Sequence, residues 1–233
     1  MTSTVTSKYH DFSTARFTVN LQPYENVAVA HCPITSNNMT KYVRVTFDTA
    51  SDKVMFNQNV CDSMQTGLDD EIIKQRFVGG EKVISHRTRD PITSGGVEYY
   101  PMCTDNLYAH AITPDPTFDG LMGAAKMRDG GSEPSSLNPD CVVVDRTINT
   151  VCVAKGDCSR CGETAQNKKI VKSKRVNPEN YIAEWPVLSD KYLYPVVLSE
   201  DGETMLMLDT GNPTTKKVGT NRNMCWVGYR DIN

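Results

Sequence analysis

The sequence predicts an all-β protein, an antiparallel β-sandwich or jelly-roll-like domain with one short helix and a long irregular loop. Three observations lead there. Val and Thr number 23 each against 10 Leu and 11 Ala, and β-branched side chains suit a pleated surface while Leu and Ala favour helices. Short apolar segments recur along the chain between polar breaks, as in sandwiches and barrels. Within them the apolar residues often alternate, most clearly at Tyr42 to Phe47, where Val43, Val45 and Phe47 take one face.

Strands are expected at Phe17 to Leu21, Asn26 to Cys32, Tyr42 to Phe47, Val54 to Val60, Lys82 to His86, Val97 to Tyr100 and Leu107 to Ile112. A second series covers Cys141 to Asp145, Thr150 to Ala154, Lys169 to Val176, Tyr181 to Leu188, Tyr192 to Leu198, Thr204 to Asp209 and Met224 to Tyr229. The helix is placed after Asp69 and Asp70, which would cap it, with Ile72, Ile73 and Phe77 as its apolar stripe and Gly79-Gly80 as its stop. Asp201-Gly202 marks one hairpin turn. A second hairpin is centred between Arg146 and Thr147, which would set Cys141 opposite Cys152. Residues 113–140, rich in Pro, Gly, Ser and Asp, read as a long surface loop. The expectation is one domain over residues 1–233, with residues 113–140 as the place where it could subdivide. No internal repeat is evident.

Bulk composition narrows the function classes. With 39% hydrophobic and 23% charged residues and a net charge of -3, the chain has a core to bury and no polyelectrolyte character. No apolar run approaches the roughly 20 residues of a membrane span. The first twenty residues lack the basic start and apolar stretch of a secretory signal. The expectation is a chain made in the cytosol, without signal peptide or transmembrane segment, its eight cysteines reduced and mostly buried. The sequon Asn38-Met39-Thr40 carries meaning only in an exported chain.

Four cysteines, Cys141, Cys152, Cys158 and Cys161, fall within 21 residues and could converge on one tetrahedral zinc, the last two as a CxxC knuckle. Zinc is the one cofactor this spacing admits; otherwise none is expected. Lys168, Lys169, Lys172, Lys174 and Arg175 follow directly and could contact nucleic-acid phosphates. The stretch has no aromatic for base stacking, so a solvated basic edge strand is the favoured reading. His10, His31, His86 and His110 lack metal-ligand spacing, and His31 and Cys32, adjacent in a strand, point to opposite faces.

Leu206-Met207-Leu208-Asp209-Thr210-Gly211 resembles the catalytic triplet of the aspartic proteases. The resemblance covers six residues and implies an aspartate pair that shares a proton to activate water. That family has a flap and a further half-lobe downstream of the triplet, and 22 residues follow Gly211 here. No second Asp-Thr-Gly occurs in the chain, so the pairing would need a second copy. Asp209 is therefore read as a strand end entering a turn at Asn212-Pro213, and no catalytic residue is assigned.

Together these readings favour a non-enzymatic structural or interaction protein, such as a viral coat or virion-surface protrusion or cement subunit. Its partners would be other copies of itself or other structural proteins, and it would reside in the virion. The alternatives are a zinc-stabilised module contacting nucleic acid through residues 141–176, and a hydrolase with its site at residues 113–140.

Overall fold

The computed structural model describes residues 14–20, 29–76, 82–94, 97–105, 118–123, 126–127, 134–137, 139, 141–145, 150–154, 174–176, 192–198, 205–212, 216–217 and 224–228. Strands make up most of the described residues and helix one segment of six, so the all-β class holds. The first elements are β1 (Thr14–Asn20), β2 (Val29–Ser36), β3 (Met39–Asp48), β4 (Val54–Asn57), α1 (Gln58–Ser63), β5 (Leu68–Arg76) and β6 (Lys82–Thr88). Next come β7 (Ile92–Ser94), β8 (Val97–Tyr99), β9 (Met102–Thr104), β10 (Gly120–Gly123), β11 (Lys126–Met127), β12 (Cys141–Asp145) and β13 (Thr150–Ala154). The last are β14 (Lys174–Val176), β15 (Tyr192–Leu198), β16 (Met205–Asp209), β17 (Lys216–Lys217) and β18 (Met224–Gly228).

The larger sheet runs β12-β13-β1-β2-β3-β10-β4-β9-β6-β5, with β7 on β2 and β8 on β7. The smaller runs β11-β15-β16-β18-β17, with β14 on β15. Most pairs are antiparallel, but β3/β10, β4/β9 and β16/β18 are parallel. The core lies over the centre of the larger sheet. Val43, Val45 and Phe47 point inward from β3 against Ile34, Phe56 and Met122, while Tyr42 on the other face is 76% exposed. A two-residue turn at Asn37 and Asn38 joins β2 to β3. Both residues have positive φ, 49° and 61°, the conformation that matches the twist of a hairpin and that asparagine tolerates.

One four-strand motif occurs twice. In the first half β2-β3-β10-β4 are neighbours in that order; in the second half β15-β16-β18-β17 are. Each begins with an antiparallel pair, places a strand ending in aspartate beside a parallel strand, and closes with an antiparallel partner. The registers coincide: Asp48 faces Gly123 across β3/β10, and Asp209 faces Gly228 across β16/β18. Met55 and Lys216, each seven positions after its aspartate, face Leu121 and Trp226, each two positions before its glycine. No sequence repeat advertises this, because the match lies in strand order and register.

Several expectations are corrected. Residues 68–76 form strand β5, not a helix: the adjacent Ile72 and Ile73, read as a helical stripe, point to opposite faces of a hairpin with β6. Ile73 packs on Met55 and Met102, and Ile72 is 57% exposed. The helix is instead α1, where Val60 and Cys61 turn inward from what reads as the end of a strand. The stretch 113–140 is no surface loop throughout. Its centre is β10, held between β3 and β4 with Met122 buried, and Arg44 lies 4.5 Å over the Phe118 ring. Gly123 reads as a loop residue but is a close-approach residue, since a Cβ there would meet the backbone of Lys53 and Ser51.

The cysteine expectation also changes. Cys61 of α1 and Cys103 of β9 form a disulfide with Cα atoms 6.5 Å apart, and Cys32 is free and buried. The bridge ties α1, which follows β4, to β9, the strand that lies between β4 and the β5–β6 hairpin in the sheet.

Candidate active site

The two aspartates that end the repeated motif meet. β3 delivers Asp48-Thr49-Ala50 and β16 delivers Asp209-Thr210-Gly211, and the threonines lock the two strand ends by a reciprocal exchange. The Thr49 N–H donates to Thr210 Oγ1 at 3.1 Å, and the Thr210 N–H donates to Thr49 Oγ1 at 3.2 Å. Each hydroxyl in turn donates across the seam at 2.5 Å, Thr49 to the Leu208 carbonyl and Thr210 to the Phe47 carbonyl. Both threonines are fully buried. Four hydrogen bonds, three of them buried, at about 1 kcal/mol each fix the two strand ends side by side.

The surroundings of the carboxyls are matched but not identical. Asp48 Oδ1 accepts the backbone N–H of Ala50 at 2.8 Å and of Ser51 at 3.2 Å. Asp209 is 2% exposed, and its carboxyl accepts from the backbone of Gly211 and Asn212 and from Asn212 Nδ2. The tight turn that reverses the chain closes with the Asn212 N–H on the Asp209 carbonyl at 3.1 Å. Gly211 is required by the approach: a Cβ there would lie 2.5 Å from Asp48 Cγ.

Burial pushes both carboxyls above the ordinary aspartate range, and for Asp48 the negative charge of Asp209 adds to the rise. The hydrogen bond between them raises Asp48 and lowers Asp209, as when Asp48 donates a proton and Asp209 accepts it. Two like charges side by side disfavour joint ionisation, and the opposite directions of their mutual hydrogen-bond effect make Asp48 the carboxyl that favours the proton.

Sequence reasoning missed Asp48. The reading that Asp209 has no partner carboxylate in its own chain is overturned, while the reading of Asp209 as a strand end entering a turn is kept. The available signal was Phe47-Asp48-Thr49 at the end of the most regular strand, matching Leu208-Asp209-Thr210. Ala50 in place of a glycine hid it.

The other candidates are not brought together. The β12–β13 ladder sets Cys152 opposite Val143 and Cys141 opposite Ala154, two residues out of the expected register, because the hairpin centre falls between Thr147 and Ile148. Cys141 and Cys152 are thus diagonal rather than facing. Cys158 and Cys161 lie outside the described residues. Among the described residues no group of three or more His, Cys, Asp or Glu is placed to hold a metal. Lys174 and Arg175 sit on β14, which pairs with β15; Lys168, Lys169 and Lys172 lie outside the described residues. Burial pushes the Cys32 thiol up to about 11, which suits a packing group and not a nucleophile. No helix among the described residues is long and apolar enough to cross a membrane. No protein-family model matches the chain, and no curated protein matches it.

Proposed function

We propose that the chain is an aspartic-type hydrolase that cleaves peptide bonds, with Asp209 as general base and Asp48 as general acid. The observation that carries this reading is the reciprocal threonine exchange, which sets the half-buried Asp48 carboxyl beside the buried Asp209 carboxyl. The Asp-Thr-Gly resemblance at residues 209–211 gives the substrate class. Glycoside hydrolysis also uses two carboxyls, but at separations of about 5 to 9.5 Å, too far for the shared proton of this pair.

The chemistry follows from the charge assignment. Ionised Asp209 takes a proton from a water as its oxygen bonds to the carbonyl carbon, while Asp48 gives its proton to the carbonyl oxygen. On collapse the C–N bond breaks and the leaving amine takes the proton now on Asp209. The hydroxyl of the tetrahedral carbon returns a proton to Asp48. Water has been added across the amide and the pair is restored. The expectation of a structural, virion-associated protein rested on Val/Thr-rich strands, polar loops and cytosolic synthesis as well as on the lack of a catalytic signature, and the Asp48–Asp209 pair is what turns our reading from it. The third residue of the first triplet, Ala50, departs from the resembled pattern.

The test is digestion of a mixed peptide library at acidic pH by the wild-type chain, with Asp48→Asn and Asp209→Asn alongside. Cleavage that disappears in both variants supports the reading. An inactive wild type, or activity surviving either substitution, would remove it.

A further inference from the structure

The sequon at the β2–β3 turn and the disulfide belong to one account. Asn-X-Thr is an acceptor for N-linked glycan only where the chain meets the transferase, and that compartment is also where disulfides form and persist. The Cys61–Cys103 bridge therefore supplies the condition under which Asn38-Met39-Thr40 has a chemical meaning. The geometry of the turn supplies the rest. Asn37 and Asn38 are both exposed at the tip, but they are used differently. The Asn37 side-chain amide donates to the Gln65 carbonyl at 3.0 Å and to Asp90 at 3.3 Å, pinning the hairpin to the loop after α1. Asn38 has no such bond among the described residues, and its left-handed φ of 61° places it at the apex of a two-residue turn. Thr40, at the required second position, is exposed, and among the described residues its hydroxyl meets that of Thr35 at 3.1 Å. A large polar group on Asn38 would displace no packing among the described residues.

We propose that Asn38 is an N-glycan acceptor on a chain that folds in an oxidising, secretory compartment. The donor is an oligosaccharide carried on a lipid pyrophosphate. The bond from the Asn38 side-chain nitrogen to the sugar C1 forms, the C1–O bond to pyrophosphate breaks, and the nitrogen gives up one proton. The lipid pyrophosphate is the leaving group, and no electrons are exchanged with an outside oxidant. The site is independent of the Asp48–Asp209 pair, so its failure would leave the hydrolase reading untouched.

The full chain is secreted from eukaryotic cells behind a secretory leader, and its proteolytic peptides are mapped by mass. The expected result is one glycan on the peptide holding Asn38, removed by an amidase that cleaves the Asn–sugar bond and leaves an aspartate. The glycan is lost in Asn38→Asp, which tolerates positive φ, and in Thr40→Val, and it returns in Thr40→Ser. Alkylation of the same material should find Cys61 and Cys103 blocked until reduction. A secreted wild type whose Asn38 peptide carries no sugar would overturn the proposal, as would free thiols at both cysteines. The wild-type map decides the matter even if a variant fails to fold.

Discussion

The two halves of the molecule build the same motif to different degrees of elaboration. In the first half, the excursion between β4 and β10 carries α1 and five strands, β5 to β9, closed by a disulfide. In the second, β16 leads through β17 directly to β18. Yet both place an aspartate opposite a glycine of a parallel strand, and both follow it with a threonine that binds the other half. The difference teaches that the conserved unit of design within this chain is the seam, while everything hung on it is free to vary. It also makes the seam asymmetric: Ala50 and Ser51 follow one aspartate, Gly211 and Asn212 the other.

The largest effect expected is the separation of activity from stability at the two aspartates. Asp48→Asn and Asp209→Asn should each lower peptide cleavage on the order of 10³-fold or more, since each removes an acid or base from the reacting pair. Asp48→Asn should still fold, because an amide can donate to Asp209 and accept from Ala50 and Ser51 as the protonated carboxyl does. The folded-state values of both carboxyls are raised. Their contribution to stability is therefore full below the ordinary aspartate value near 3.9 and is lost as pH rises through the pair's raised range. Denaturant unfolding across pH should show that loss in the wild type and a flatter profile in Asp48→Asn.

Next in size is the bridge that only the first half possesses. Closing the loop between Cys61 and Cys103, 42 residues apart, contributes about 4 kcal/mol in the chain-entropy description. A paired Cys61→Ser, Cys103→Ser variant should lose stability of that order, measured by denaturant midpoint. An unchanged midpoint would mean that the bridge adds nothing to the fold.

The seam itself is the third target. Thr210→Val keeps the shape but strands the Thr49 N–H and takes one donor from the Phe47 carbonyl, at about 1 to 3 kcal/mol. Thr49→Val should cost a similar amount by the mirrored loss. The double variant should cost well under the sum, since the two share one network; strict additivity would show that the threonines do not act together.

The smallest effects sharpen the asymmetry. Gly211→Ala drives a Cβ against the Asp48 carboxyl and should cost about 1 to 3 kcal/mol, with activity falling further as the pair is pushed apart. Ala50→Gly should cost under about 1 kcal/mol, the backbone-entropy difference alone. Equal costs at the two positions would erase the distinction between the halves.

Much of the scaffold was legible because its cause is local. The strands Cys141–Asp145, Thr150–Ala154 and Tyr192–Leu198 coincide with their sequence patterns, and the β15–β16 register centres on Asp201-Gly202 as the turn chemistry requires. β5 was misread because two adjacent isoleucines fit a helical stripe equally well until β6 pairs with them. β10 was misread because Gly120 and Gly123 look like loop residues when the strands they let approach are unknown. The site was half legible for a similar reason. Asp209 stands in a recognisable triplet, but its partner is 161 residues away and lacks the glycine. Only the threonine exchange between the ends of β3 and β16, which no local pattern encodes, brings them together.

The most direct test of that meeting is the titration of the two carboxyls, followed by ¹³C resonances of labelled aspartate assigned through Asp48→Asn and Asp209→Asn. Two halves that share one proton predict coupled curves. One carboxyl should stay protonated well above the ordinary value near 3.9, and the Asp48 resonance should move to lower pH when Asp209→Asn removes the charge that raises it. Two independent single-site curves near that value, each indifferent to the other's substitution, would contradict the account.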